Sequence, residues 1–360
     1  MNDDLLSIMN QIITEQGEAI LSQPKRVSVF LTDLANGVPK SQINAFIKCL
    51  EYRFAEILKN VNENELALCE QQLAQRLHEE EGFDLSLCGE VIKLLITIIF
   101  GEKKTTAIEY KAYAGNGLTS VTIPNSVTTI GEEAFAVNLL TSIIIPDSVT
   151  VIGPSAFYDN RLTNVVIPNS VTNIGNAAFS HNRLTSVTIS SSVTSIGKSA
   201  FAYNQLSTIT IPNNVTIIQP SVFFENLLIN AIIPNSVITI GNGAFSHNKL
   251  TSITIPNSVT IIGICSFAYN QLTKVTIPNN TTIIKESTFA NNQLSDIIIP
   301  SSVNTIDDDA FNENRLTSIT IGSNVEIASR AFDNEFAAFY KAQGRKAGTY
   351  ILSGGRWRLQ

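Results

Sequence analysis

The residues with chemistry to offer are few and scattered. Of the three histidines, His181 and His247 occupy the same turn position in a 22-residue motif, three motifs apart. At about 4.8 Å per stacked strand that separates them by about 14 Å, too far to share one metal ion. His78 stands beside Glu79, Glu80 and Glu81, which read as a solvated helix end. The run Asp307-Asp308-Asp309 lacks the spaced ligands and closing Glu of a calcium loop, so a solvated turn is expected. Cys49, Cys69, Cys88 and Cys265 lack paired metal spacing, and their expected state is buried free thiols. No phosphate loop, Gly-x-Ser-x-Gly elbow or arguable Cys–His or carboxylate pair is found. The expectation is a non-enzyme with no catalytic residue, no cofactor and no metal.

What these residues sit on is a repeat. Leu118 recurs every 22 residues as Leu140, Leu162, Leu184 and onward to Leu316, without insertion or deletion, giving ten units over residues 116–335. An Asn precedes each of these leucines by two positions, from Asn116 to Asn314. Such a period means a solenoid, in which each unit buries its apolar face against its neighbours. In the unit that starts at Leu250, Leu250, Ile253 and Ile255 form a strand with alternating inward residues. Pro256 closes that strand, Val259 and Ile262 enter the core from the opposite wall, Gly263 allows the following turn, and Phe267 fills the wide end. The Phe column from Phe135 to Phe311 never changes, and one residue is deleted between Val325 and Phe332. The Asn column is expected to close each coil, since Asn tolerates left-handed backbone angles and bonds its own turn.

Residues 3 to about 101 read as about five helices. Pro24 starts a second segment, Gly37-Val38-Pro39 breaks it, and Ser41 to Lys59 continues as one apolar stripe. Asn62 with Glu65 reads as a capping box for the helix running to Gly82, and Asp84 caps a last helix, Leu85 to Phe100, apolar nearly all round. At the other end, Thr349–Leu352 and Arg356–Leu359 flank Ser353-Gly354-Gly355 as a β-hairpin, with Tyr350 and Trp357 covering the end of the stack. The segments are therefore 1–104 (helical), 105–335 (ten repeats) and 336–360 (capping hairpin). The fold class is α+β multidomain: an all-α helical bundle, then a right-handed β-solenoid. The helical segment is either a recruiting module or the cap of the other end.

The unit Leu-x-x-Ile-x-Ile-Pro-x-Ser-Val-x-x-Ile-Gly-x-x-Ala-Phe resembles the BspA-like leucine-rich repeat of bacterial proteins, in a 22-residue form that contains Asn. Departures are local: Ser190 and Gly322 replace Pro, Gln219, Lys285 and Asp307 replace Gly, and Thr281 replaces Val. The resemblance implies a curved solenoid working through adhesion or protein contact, often at cell surfaces, with two exposed strand columns lining the concave face. Those columns supply the candidate partner-binding residues Ser142, Ile144, Asn164, Val166, Ser186, Thr188, Thr208, Thr210, Asn230, Ile232, Ser252, Thr254, Lys274 and Thr276. Exposed Ile144, Val166, Ile232 and Ile298 among hydroxyls suit flat contact with a protein or glycan. The competing reading is that Ser and Thr are present for β-propensity and solubility alone. Regular threonine rows also invite a crystal-binding reading, which needs a flat lattice that curving repeats do not provide.

The net charge of −7 argues against nucleic acid as partner. The last 22 residues are the exception, with Lys341, Arg345, Lys346, Arg356 and Arg358 and no acid. The apolar run Leu94–Phe100 is too short to cross a bilayer, and the N-terminus has no positive region followed by an apolar stretch. The expected protein is a monomeric, cytoplasmic scaffold that binds a protein partner on the concave face. Two alternatives stand beside it: a surface or secreted adhesin for host protein or glycan, and a structural spacer without a ligand.

Overall fold

The computed structural model describes residues 3–16, 18–34, 38–59, 66–100, 106–333 and 335–360. The chain divides into two compact units, residues 1–105 and 106–360, each with its own apolar core.

The first unit is helical: α1 (Asp3–Gln16), a 3₁₀ turn (Glu18–Ser22), α2 (Pro24–Leu34), α3 (Lys40–Glu51), α4 (Phe54–Lys59), α5 (Leu66–Glu81) and α6 (Leu85–Phe100). Pro24 takes the first position of α2, where its missing N–H costs nothing. Asp84 accepts hydrogen bonds from the Ser86 and Leu87 amides at 3.0 and 3.2 Å and so caps α6. Helix α6 packs on α1, α3, α4 and α5, which makes it central, although Ile96, Ile98 and Ile99 are only half-buried. The stripe from Ser41 to Lys59 is not one helix. It breaks at Tyr52-Arg53, where Arg53 adopts φ 58°. The break turns the Tyr52 hydroxyl to donate to Glu81 at 2.6 Å on α5, and stacks its ring on Phe54 at 5.6 Å. The Asn62–Glu65 capping box and the glycine of the 37–39 break lie outside the described residues.

The second unit is the solenoid. Each coil carries up to two short strands that pair in parallel with the equivalent strands one coil away. One series starts at Asn164–Ile167 and Ser186–Ile189 and ends with Asp296–Ile298 and Ser318–Ile321; its members pair two by two. Strands were expected in every unit, but the segments around Val121 and Ile143 run without assigned pairing, so the row begins at Asn164. The second series runs from Ala107–Ile108 to Glu326–Ile327. Its last register, Thr305 opposite Glu326, is one residue short of a full unit, which places the deletion directly after Val325.

Between the walls, Phe135 to Phe332 form a continuous stack of near-parallel rings, extended at one end by Tyr113. Each ring is buried, and the Asn beside it is buried from Asn138 to Asn292 and half-buried at Asn314, its side chain hydrogen-bonded throughout. Asn182 shows the pattern. Its Oδ1 accepts the Leu162 amide at 3.0 Å, and its Nδ2 donates to Phe157 O in the coil before and Phe179 O in its own, at 2.9 and 3.2 Å. One side chain thus bonds three backbone groups, and each Phe carbonyl is shared with the next Asn of the ladder, as Phe157 O is with Asn160 and Phe179 O with Asn204.

Two expectations about the turns are corrected here. The left-handed residue is not the Asn but the one before it, from Val137 and Asp159 through His181, Tyr203 and Tyr269 to Glu313. The Asn has a different task, which needs its amide inside the coil. The repeat glycine is not a turn residue either. Gly131, Gly153, Gly175, Gly197, Gly241 and Gly263 have no positive φ, but an added Cβ would lie 2.4 to 2.8 Å from backbone of the preceding coil. Glycine is there for close approach.

Where a side chain replaces that glycine, the wall can open. The second strand series is interrupted between Ser195–Ile196 and Ile217–Ile218, and again between Ile261–Ile262 and Ile283–Ile284. These are the junctions closed by Gln219 and Lys285. The Phe201–Phe223 and Phe267–Phe289 centroids, at 6.1 and 5.7 Å, are the widest of the Phe column. Asp307, the third replacement, keeps its bond to Ile284 O at 2.9 Å.

The C-terminal hairpin forms as expected, Gly348–Ser353 against Arg356–Leu359, with Gly354 and Gly355 at positive φ in the turn. It adds antiparallel to Ser318–Ile321 and so continues the first strand series. Helix α7 (Phe336–Ala342), absent from the hairpin reading, precedes it. From α7, the buried Tyr340 hydroxyl donates to Gly322 O at 2.6 Å and accepts the Val325 amide at 3.2 Å. Tyr350 and Trp357 are buried against Phe336.

Candidate interaction surface

Along the first strand series the burial alternates exposed, buried, exposed. The fourteen candidate residues all lie on the exposed positions. Pairing brings them together in two columns: Asn164 beside Ser186, Val166 beside Thr188, Thr208 beside Asn230, Thr210 beside Ile232, Ser252 beside Lys274 and Thr254 beside Thr276. Ser142 and Ile144 are exposed as well, but precede the first assigned strand of the series. Ile144 is 83% exposed, Val166 64% and Ile232 54%, values that set them apart from core β-branched residues such as Val165 at 2%.

The polar members are distinguished by what they do not bond. In the neighbouring column the threonines turn sideways: Thr185 Oγ1 donates to Thr163 O at 3.3 Å, Thr273 to Thr251 O at 3.4 Å and Thr317 to Ser295 O at 3.3 Å. Those hydroxyls are used up by the coil before. Among the described residues no side-chain hydrogen bond is formed within the chain by Ser142, Asn164, Ser186, Thr188, Thr208, Thr210, Asn230, Ser252, Thr254 or Thr276. At the C-terminal end the row closes, since Thr320 Oγ1 meets Thr349 Oγ1 at 2.9 Å beneath the hairpin. The face holds one candidate cation, Lys274, with Asp296 on the next strand. Beside these it offers hydroxyls, two amides and β-branched methyls.

No group of three or more His, Cys, Asp or Glu side chains among the described residues is placed to hold a metal ion. Asp308 and Asp309 are engaged by Arg330, at 3.8 and 3.3 Å. Burial raises the thiol pKa of Cys49, Cys88 and Cys265. Cys49, Cys69 and Cys88 are buried as expected, but Cys265 is only half-buried, because it occupies a second left-handed turn position that points outward. No described helix is long and apolar enough to cross a membrane.

A model of the BspA-type leucine-rich repeat region matches residues 106–230 and 221–337, well over half of the chain. The chain belongs to the BspA-type leucine-rich repeat family. No curated protein matches the BspA-type chain. Among solved structures it is similar to a leucine-rich cell surface protein of Faecalibacterium prausnitzii, at 29% identity, with 61% of this chain and 58% of that one covered and a TM-score of 0.37. It is also similar to the pneumococcal vaccine antigen PcpA, at 23% identity over 57% of this chain and 63% of that one, TM-score 0.43. A leucine-rich repeat protein of Bacteroides ovatus matches at 24% identity, covering 62% and 78% of the two chains, TM-score 0.37. The BspA-type chain thus spans about three-fifths of the length of the first two relatives.

The sequence reading passed over a second feature of the repeats. The histidines, considered there only as metal ligands, stack on tyrosines: His181 on Tyr203 and His247 on Tyr269, each at 4.2 Å. The signal that could have found them is the column just before the repeat Asn, read down all ten units.

Proposed function

We propose that the BspA-type repeats are a non-enzymatic interaction scaffold whose protein partner lies against the exposed face of the first strand series, from Ser142 to Thr276. The observation that carries this is the row of polar side chains with no bond inside the chain, interleaved with the exposed methyls of Ile144, Val166 and Ile232. A partner would supply the missing hydrogen bonds and cover the methyls. At about 4.8 Å per coil, the seven coils from Ser142 to Thr276 offer a face about 30 Å long. A rigid face loses little ordering entropy on binding and spreads many weak contacts along its length.

The test compares partner recovery by the intact chain, by Ser186→Arg with Thr210→Arg on the face, and by Asn173→Arg, exposed on the other wall. Loss with the paired substitution and not with Asn173→Arg is the expected result. Equal recovery by all three refutes the assignment, and the absence of any partner favours a spacer. Protease shaving of intact cells separates a cytoplasmic scaffold from a surface adhesin.

A further inference from the structure

Away from the strand face, one surface of the solenoid repeats a chemistry of its own. The left-handed residue before each buried Asn throws its side chain outward, and over six coils these turns build a chain of rings. Tyr158 meets His181 edge-on at 5.2 Å, and His181 lies flat on Tyr203 at 4.2 Å. Phe224 links the two halves, edge-on to Tyr203 at 5.4 Å and to His247 at 5.2 Å, and His247 again lies flat on Tyr269 at 4.2 Å. This is one arrangement made twice, three coils or about 14 Å apart.

The ring faces are spent on one another, so solvent meets their polar edges. Tyr203 is 40% exposed and Tyr269 49%. Neither hydroxyl, nor either imidazole, has a side-chain hydrogen bond within the chain. Beside the first copy lies a cleft of 490 Å³ lined by Asp159, Arg161, His181, Arg183 and Tyr203. Among the described residues no ion pair engages Arg161 or Arg183. In the second copy Glu225, Leu227 and Lys249 stand where Asp159, Arg161 and Arg183 stand in the first.

What persists between the copies is the His–Tyr pair and one acid, not a net charge. Planar groups that both donate and accept, mixed in sign and set beside ring edges, match vicinal hydroxyls better than they match an anion. Two like His–Tyr pairs in register also ask for a ligand that repeats.

We propose that this ridge and its cleft bind a linear polysaccharide running along the solenoid, with one subsite at each His–Tyr pair. The site stands independently of any partner on the strand face.

The test uses the full chain in biolayer interferometry against immobilised β-glucan, α-glucan, mannan, heparin and poly-L-glutamate, at 0.15 and 0.5 M NaCl. A neutral polysaccharide should be retained with less than a twofold change in affinity between the two salt concentrations. Tyr203→Ala with Tyr269→Ala should weaken it at least tenfold. Tyr203→Phe with Tyr269→Phe keeps the stack and removes only the hydroxyls, and should weaken it several-fold. Arg315→Ala, in the same column as Arg161 but beside no ring pair, should leave it unchanged. An oligosaccharide long enough to reach both pairs should bind at least tenfold more tightly than the trisaccharide. Retention of no neutral polysaccharide, retention of heparin or poly-L-glutamate alone with loss at 0.5 M salt, or wild-type binding by both tyrosine variants would overturn the proposal.

Discussion

Gly153→Gln should open the second wall of the solenoid at one junction. An added Cβ at Gly153 would lie 2.7 Å from Gly131 C and 2.8 Å from Glu132 N, and neither backbone atom can move aside as a flexible side chain could. The chain already contains the outcome at Gln219, where the strands on either side do not pair and the Phe201–Phe223 spacing rises to 6.1 Å. Two bonds are at stake at Gly153: its amide to Ile130 O at 2.7 Å and the Thr150 amide to Thr128 O at 2.8 Å. At about 0.5–1.5 kcal/mol each, their loss should cost about 1–3 kcal/mol. The reverse change, Gln219→Gly, should recover a similar pair less about 0.5–1 kcal/mol for glycine's greater unfolded-state entropy, a net gain of about 0–2.5 kcal/mol. Because a solenoid couples only neighbouring coils, faster amide exchange in Gly153→Gln should be confined to the coils on either side of the junction. Urea titration and exchange mass spectrometry measure both quantities. A Gly153→Gln protein within 0.5 kcal/mol of the parent and with unchanged exchange at 150–153 would refute the close-approach argument, as would a Gln219→Gly protein less stable than its parent.

Two further outcomes follow from the same geometry. Asn182→Leu keeps roughly the volume but orphans the Leu162 amide, while the Phe157 and Phe179 carbonyls keep the Asn160 and Asn204 side-chain amides at 3.3 and 2.9 Å, so the urea-derived stability should fall by about 1–3 kcal/mol; a loss below about 0.5 kcal/mol would show that the Asn ladder is dispensable. Burial raises the phenol pKa of Tyr340 and Tyr350. A phenol whose folded pKa exceeds its unfolded value of about 10 contributes fully below that pH, and the contribution is lost as pH rises through the folded value. The phenol contribution should therefore hold to about pH 10 and be lost above it, so the fall in stability above pH 10 should be smaller in Tyr340→Phe, which starts about 1–3 kcal/mol lower at pH 8 through loss of its bonds to Gly322 and Val325. Equal declines in urea midpoint between pH 8 and 11 would contradict this.

Much of the fold could be read from spacing, because the Leu, Ile and Phe columns specify which side of each coil faces inward. The terminal hairpin and the Asp84 cap were equally open to reading, since each depends on local chemistry. What stayed hidden depends on atoms in neighbouring coils. That Asn182 reaches back to Leu162 and Phe157 cannot be seen in its own motif, so the Asn was credited with the left-handed angle that His181 carries. Gly263 looked like a turn residue because only the preceding coil shows how little room it has. The helix break at Tyr52-Arg53 escaped because the apolar stripe runs straight through it; the contact that rewards the break, with Glu81, is distant in sequence. At the candidate surface the exposed columns were legible from strand alternation. The His–Tyr pairs share one column, just before the repeat Asn, but their stacking, and the Tyr158 and Phe224 rings that join them from the neighbouring position, depend on contacts between coils.

The placement of Trp357 sets what light can report about this protein. It is the chain's one tryptophan, and it sits in the terminal hairpin with its ring 4.9 Å from Phe336. In a structure where each coil senses only its neighbours, its emission reads the melting of the last coils and is blind to those around Asn138. Far-UV ellipticity at the helical minimum reads chiefly the described helices α1–α6 of the first unit, at the other end of the sequence. The two spectroscopic curves should therefore differ in midpoint even when every cooperative segment melts in a single step, and their disagreement would measure distance along the chain rather than the presence of an intermediate.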